Sequence, residues 1–160
     1  MSSPISADNI LNVAVGIERT GIAFYYVMGR STDDSTAKYL FQQLADMERV
    51  HIKIFEDMLG EVEQYPVSEV AEHADYLQTL VDNAVFNDEL VTSEMAMRVN
   101  SDIEAVHLAI SAEKDTILFY YEMREVMPQP AQVTVDRIIA EEKAHLRQLS
   151  ELKKKLTLNN

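Results

Sequence analysis

Four stretches of this chain repeat apolar residues at intervals of three and four, the spacing that lines one face of an α-helix. The first opens at Ser6 or Asp8, either of which can cap it, and covers about 7–30, with Leu11, Ala14, Val15, Ile22, Tyr25 and Gly29 on its stripe. Ser31-Thr32-Asp33-Asp34-Ser35 then reads as a loop and N-cap cluster. A second helix is predicted over 34–59, carrying Leu44, Phe55 and Met58, with Gly60 as its stop. A third covers 101–127, capped from Asn100, Ser101 or Asp102, with Val106, Ala109, Ile110, Ile117 and Tyr120 on its stripe; Pro128 and Pro130 end it. The fourth covers 132–157, with Val135, Ile138, Leu149, Leu152 and Leu156, and its Lys153-Lys154-Lys155 run suits the negative pole of the helix dipole. Residues 61–100 are less regular. Pro66 breaks the chain there, Ser68 can cap a short helix over 69–81, and a further helical piece is expected over 88–99.

Each stripe carries an acidic residue where Leu or Ile would otherwise stand. Glu18 interrupts the first and Glu113 the third. In the second, Glu48 and His51 fall between Leu44 and Phe55, and in the fourth, Glu142 and His145 fill the gap between Ile138 and Leu149. The two halves of the chain repeat weakly. Glu18 precedes Phe24-Tyr25 at the spacing by which Glu113 precedes Phe119-Tyr120, and Glu18 lies 30 positions before Glu48 while Glu113 lies 29 before Glu142. The pattern is one helical hairpin used twice, with an approximate two-fold axis between the copies. The expected fold is all-α, a four-helix bundle with a long, partly helical crossover of the ferritin-like kind between helices two and three.

Composition narrows the function. The 160 residues, expected to form a single domain, are 47% apolar, with four Gly and four Pro, which disfavours an all-β fold. There is no cysteine, and so no disulfide, thiolate cluster or thiol nucleophile. A net charge of −13 argues against nucleic acid and against anionic membrane surfaces. No run approaches membrane-spanning length, and the N-terminal MSSPISADN lacks the basic and apolar regions of a signal peptide, so a cytoplasmic protein is expected.

A single Glu-x-x-His is weak evidence in a chain this rich in glutamate, and the register discriminates. Residues i and i+3 share a helix face, so Glu48/His51 and Glu142/His145 can each aim a carboxylate and an imidazole at one point. A third pair, Glu104/His107, fails this test: at about 100° per residue Glu104 lies opposite Glu113, and His107 about 120° from it. It reads as surface, as does His73 in the crossover. An ionised carboxylate in a core costs several kcal/mol unless paired. The stripes offer almost no basic partner at the right depth, Arg124 being the nearest, whereas two divalent cations balance four carboxylates. Glu18, Glu48, His51, Glu113, Glu142 and His145 are therefore the candidate metal ligands. In the simplest arrangement Glu48 and Glu142 bridge, Glu18 and His51 complete one position, and Glu113 and His145 the other. Oxygen and imidazole donors without sulfur suit iron or manganese, with zinc a further occupant. Open positions would admit O₂ or peroxide. Tyr25 and Tyr120, two turns after Glu18 and Glu113, can hydrogen-bond a ligand carboxylate, quench a stray oxidant or simply pack. The eight Met and the other aromatic residues read as core; a Met-ligated haem at a symmetric interface is the competing use of a methionine.

Glu18, Glu48-x-x-His51, Glu113 and Glu142-x-x-His145, with the Glu…Phe-Tyr pattern, resemble the rubrerythrin family of the ferritin-like superfamily over nearly the whole chain. The resemblance implies a non-haem diiron peroxidase that reduces hydrogen peroxide with electrons from a small redox protein such as a rubredoxin, and a homodimer. Two departures stand out. The family's usual C-terminal rubredoxin module carries four cysteines, so here the reductant would be a separate protein. Many members also carry a second glutamate three residues after the first on helix three, which exchanges with the helix-two histidine; that position is Thr116, which leaves His51 as a fixed ligand. Two other functions fit the same ligands: a ferritin-type protein that oxidises and stores iron, and a bundle whose metal site is structural.

Overall fold

The computed structural model describes residues 6–61, 71–83 and 101–159, without the side chains of 71–74 and 81. Among them are five helices and no strand: α1 Ala7–Ser31, α2 Ser35–Leu59, α3 Ala71–Asp82, α4 Asp102–Val126 and α5 Gln129–Leu158. None of the described helices is long and apolar enough to cross a membrane. Pro66, Ser68, the His73 side chain and the helix expected over 88–99 lie outside the described residues.

Local chemistry sets the helix ends. Asp34 caps α2 by accepting from the Ala37 N–H at 2.8 Å, and Ser101 caps α4 by accepting from Glu104 N–H at 3.2 Å. Ser6 occupies the N-cap of α1 without a side-chain bond. Gly60 ends α2 in a right-handed conformation (φ −65°), so its role there does not depend on glycine's left-handed freedom. The start of α5 departs from expectation. Pro130 does not separate two helices; it lies in the first turn of α5, which begins at Gln129 with Pro128 as its N-cap. The first-turn N–H groups have no intrahelical acceptor, so proline loses nothing there and its fixed φ favours the turn.

α1 and α2 pack closely as one hairpin and α4 and α5 as another. The hairpins meet along α1/α4 and α2/α5, and α3 lies against α4. Side-chain pairings give the directions: Tyr25 reaches Glu113 and Tyr120 reaches Glu18, so α1 and α4 are antiparallel. α2 and α4 therefore run the same way, so α2 ends and α4 begins at opposite ends of a bundle roughly 37 Å long for a 25-residue helix.

The core is divided. One apolar cluster joins Ile10, Leu11, Phe55, Phe119, Met123, Val135 and Ile138; the other joins Phe24, Phe41, Leu44, Val106, Ala109, Leu149 and Leu152. Both draw on α1, α2, α4 and α5, and burying each of the larger aliphatic or aromatic side chains contributes about 1.5–3 kcal/mol. Between them lies a layer of buried polar residues: Glu18, Glu48, His51, Glu113, Glu142 and His145.

Candidate metal centre

All six of these side chains are at most 4% exposed. Each stands where its helix register turns it to the bundle axis, which is why the apolar stripe continues on either side. Both imidazoles present Nδ1 to the carboxylates. His51 Nδ1 lies 3.0 Å from Glu48 Oε2, 3.0 Å from Glu142 Oε1 and 3.5 Å from Glu18 Oε1. His145 Nδ1 lies 3.1 Å from Glu142 Oε2 and 3.5 Å from Glu48 Oε1. The two rings stack with centroids 5.8 Å apart. The approximate two-fold axis passes between them.

Two sets of donor atoms result: Glu18, Glu48, His51 and Glu142, and Glu48, Glu113, Glu142 and His145, in each of which the atoms lie within 4.8 Å of one another. Glu48 and Glu142 belong to both. Glu142 Oε1 is buried and makes no hydrogen bond of good geometry; its 3.0 Å ion pair with His51 Nδ1 is the contact a cation would replace. Oxygen and imidazole donors, shared carboxylates and an unsatisfied buried oxygen together fit two divalent cations.

Tyr25 and Tyr120 are fully buried against the layer. Tyr25 donates its hydroxyl to Glu113 Oε1, and Tyr120 donates to Glu18 Oε1. Each tyrosine thus serves the glutamate of the other hairpin. Of the roles open to them in the sequence, carboxylate hydrogen bonding is seen together with aromatic packing, Tyr25 against Phe24 and Phe41 and Tyr120 against Phe55 and Phe119. Burial, then the nearby carboxylates, raise both phenols well above their ordinary range, so they remain donors.

Electrostatics sorts the carboxylates into two kinds. Burial, followed by the charges of Glu48 and Glu142, raises Glu18 and Glu113 well above the usual carboxylate range. Burial also pushes Glu48 and Glu142 up, but the imidazoles and the outer glutamates outweigh it and hold both low. Burial opposes charge on the histidines, yet the carboxylates win: His51 is strongly raised and His145 is raised to about 9. The shifts favour ionisation of the inner pair, protonation of the outer pair and charge on both imidazoles, so protons offset part of the buried negative charge that two divalent cations would balance.

The remaining residues separate cleanly. Arg124, the basic partner considered for the carboxylates, contacts Asp136 at 2.5 Å and Glu125 at 3.2 Å instead. Among the described residues no Lys or Arg pairs with the four buried glutamates, whose ion pairs are all with His51 and His145. Glu104 and His107 are exposed, as their register requires. Thr116 is buried and donates to the Ala112 carbonyl at 3.0 Å.

One participant escaped the sequence reading. Glu141, whose side chain is 36% exposed, places Oε2 2.7 Å from His51 Nε2, on the edge opposite Nδ1. Register on a single helix places Glu141 about 100° off the stripe, and only the packing of α5 on α2 brings it to the ring. The Glu141-Glu142 doublet was the available signal.

Comparison with known proteins agrees with this geometry. The rubrerythrin family model matches residues 9–153. A crystal structure from Thermotoga maritima, assigned as a ferritin-like diiron-carboxylate protein, is similar at 33% identity and a TM-score of 0.70, over 96% of this chain and 98% of that one. No curated protein sequence matches the chain.

Proposed function

We propose, from the premise that this chain belongs to the rubrerythrin family, that its buried cluster holds two iron ions and reduces hydrogen peroxide or O₂ with electrons from a separate donor protein. The observation that carries the reading is the pair of buried donor sets sharing Glu48 and Glu142. Manganese or zinc fits the same donors, but only a redox metal suits this reaction.

Glu48 and Glu142, common to both donor sets, would be shared by the two ions; Glu18 and His51 would complete one set, and Glu113 and His145 the other. When bound, a ferrous pair supplies the two electrons that break the O–O bond of peroxide, which with two protons gives two waters. The protein's own contribution is placement and dryness. The apolar clusters on either side exclude bulk water and strengthen every charge interaction in the layer. The Tyr25 and Tyr120 hydroxyls fix Glu113 and Glu18 by a hydrogen bond each, and as phenols close to the layer they can intercept a stray oxidant. The Thr116 hydroxyl is engaged with the Ala112 carbonyl and supplies no carboxylate for a ligand exchange. His51 would then remain a ligand.

The test is the ferrous protein mixed with one equivalent of peroxide. Stoichiometric oxidation, followed by turnover with a rubredoxin and its reductase, supports the reading. Iron content below about one ion per chain, together with a Glu48→Ala variant that binds and reacts like the parent, would sink it.

A further inference from the structure

The two-fold relation between the hairpins matches Glu48 with Glu142 and His51 with His145. It fails one residue earlier, where α5 has Glu141 and α2 has Met47. Glu141 accepts at 2.7 Å from the outer nitrogen of His51, the Nε2 edge. The equivalent edge of His145 is buried and has no hydrogen-bond partner among the described residues. That ring borders a groove of about 410 Å³ between α2 and α5, whose wall includes Met47, Gln43 and Gln148. A thioether is a weak acceptor and cannot replace a carboxylate.

We propose that Glu141 and Met47 make the two cation positions unequal: the one completed by Glu18 and His51 fills first and holds its ion more tightly, and the one completed by Glu113 and His145 exchanges. A carboxylate on the outer nitrogen of a ligand histidine keeps the proton there, fixes the ring and makes the inner nitrogen a better donor. His51 has all three advantages through Glu141, and His145 has none of them. Loss of such a partner typically weakens metal binding by about 10–100-fold, which sets the expected gap between the positions. Glu141 acts through His51 and is a positioning residue. The groove borders His145 and not His51, although Glu141 and Asp46 also line it.

The inference rests on the two-cation reading and is tested apart from activity. Zn²⁺ binding to the full chain is followed by calorimetry with a competing chelator. Two steps about 10–100-fold apart are expected, and crystals given less than one equivalent should show anomalous scattering at His51 first. Glu141→Gln should weaken the tighter step by a similar factor, bringing the two together. Met47→Glu should strengthen the weaker step. Two equal steps, a first ion at His145, or unchanged steps in a folded Glu141→Gln protein would overturn the inference while leaving the two-cation site standing. Binding of fewer than two ions by the parent chain would overturn both.

Discussion

The protonation pattern of the polar layer makes the cation-free protein lose stability toward alkaline pH, and His145 sets a measurable share of the loss. Its pKa rises from about 6.5 unfolded to about 9 folded. A raised folded pKa means the native state binds the proton more tightly, so the stabilisation is complete below about pH 6.5 and is gone once pH has risen through about 9. At about 1.36 kcal/mol per pH unit this amounts to roughly 3 kcal/mol, a large fraction of a typical domain's stability. The ring is 3% exposed, so solvent screening takes little from it. His51, also raised, adds to the loss, as do Glu18 and Glu113, whose raised values cost stability as pH climbs above the ordinary carboxylate range. Glu48 and Glu142, held low, matter only in acid, where their contribution disappears as pH falls. The raised groups of the layer therefore push the same way. The assay is urea unfolding of chelator-treated protein at half-unit pH steps, repeated with His145→Gln. We expect parent stability to fall by at least about 3 kcal/mol over this range, and the variant to fall by distinctly less. A flat or rising parent curve, or a variant parallel to the parent, would refute the reasoning.

Further expectations follow from the same geometry. Binding two divalent cations at neutral pH should release protons, from His51 and His145 first and with Glu18 and Glu113 adding to the release, measurable by calorimetry in buffers of different ionisation enthalpy. Tyr25→Phe and Tyr120→Phe should each remove about 1–2 kcal/mol by urea unfolding and weaken cation binding to similar extents, because the hydroxyls make equivalent bonds; an effect from one alone would contradict that equivalence. Arg124→Ala should leave cation affinity unchanged, since its partners are Asp136 and Glu125; a change would show that it reaches the buried layer. Light scattering should report a dimer, and a closed multi-subunit shell would favour iron storage.

Much of this was legible in the sequence, for a physical reason. A ligand that replaces an aliphatic residue keeps its helix register, so Glu18, Glu48, His51, Glu113, Glu142 and His145 could be placed on the inner face from spacing alone, and Glu104 and His107 could be set aside. What spacing cannot show is the partner across a helix interface. Glu141 sits off its own stripe and acquires a role only through α2. That Tyr25 serves Glu113 rather than Glu18 likewise depends on how the hairpins dock. Pro130 misled the reading of α5 because proline starts helices as readily as it ends them, and the two uses differ only in which N–H groups already lack a partner.

Each hairpin is tightly packed within itself, and each supplies half of the donors: Glu18, Glu48 and His51 from one, Glu113, Glu142 and His145 from the other. Both shared carboxylates lie on the α2/α5 seam, so bound cations would rivet the two hairpins together there. Removing them should loosen that joint before it loosens either hairpin. Amide exchange would then quicken along the facing edges of α2 and α5 while each hairpin's own interface stays protected, and the protein would part along its internal symmetry.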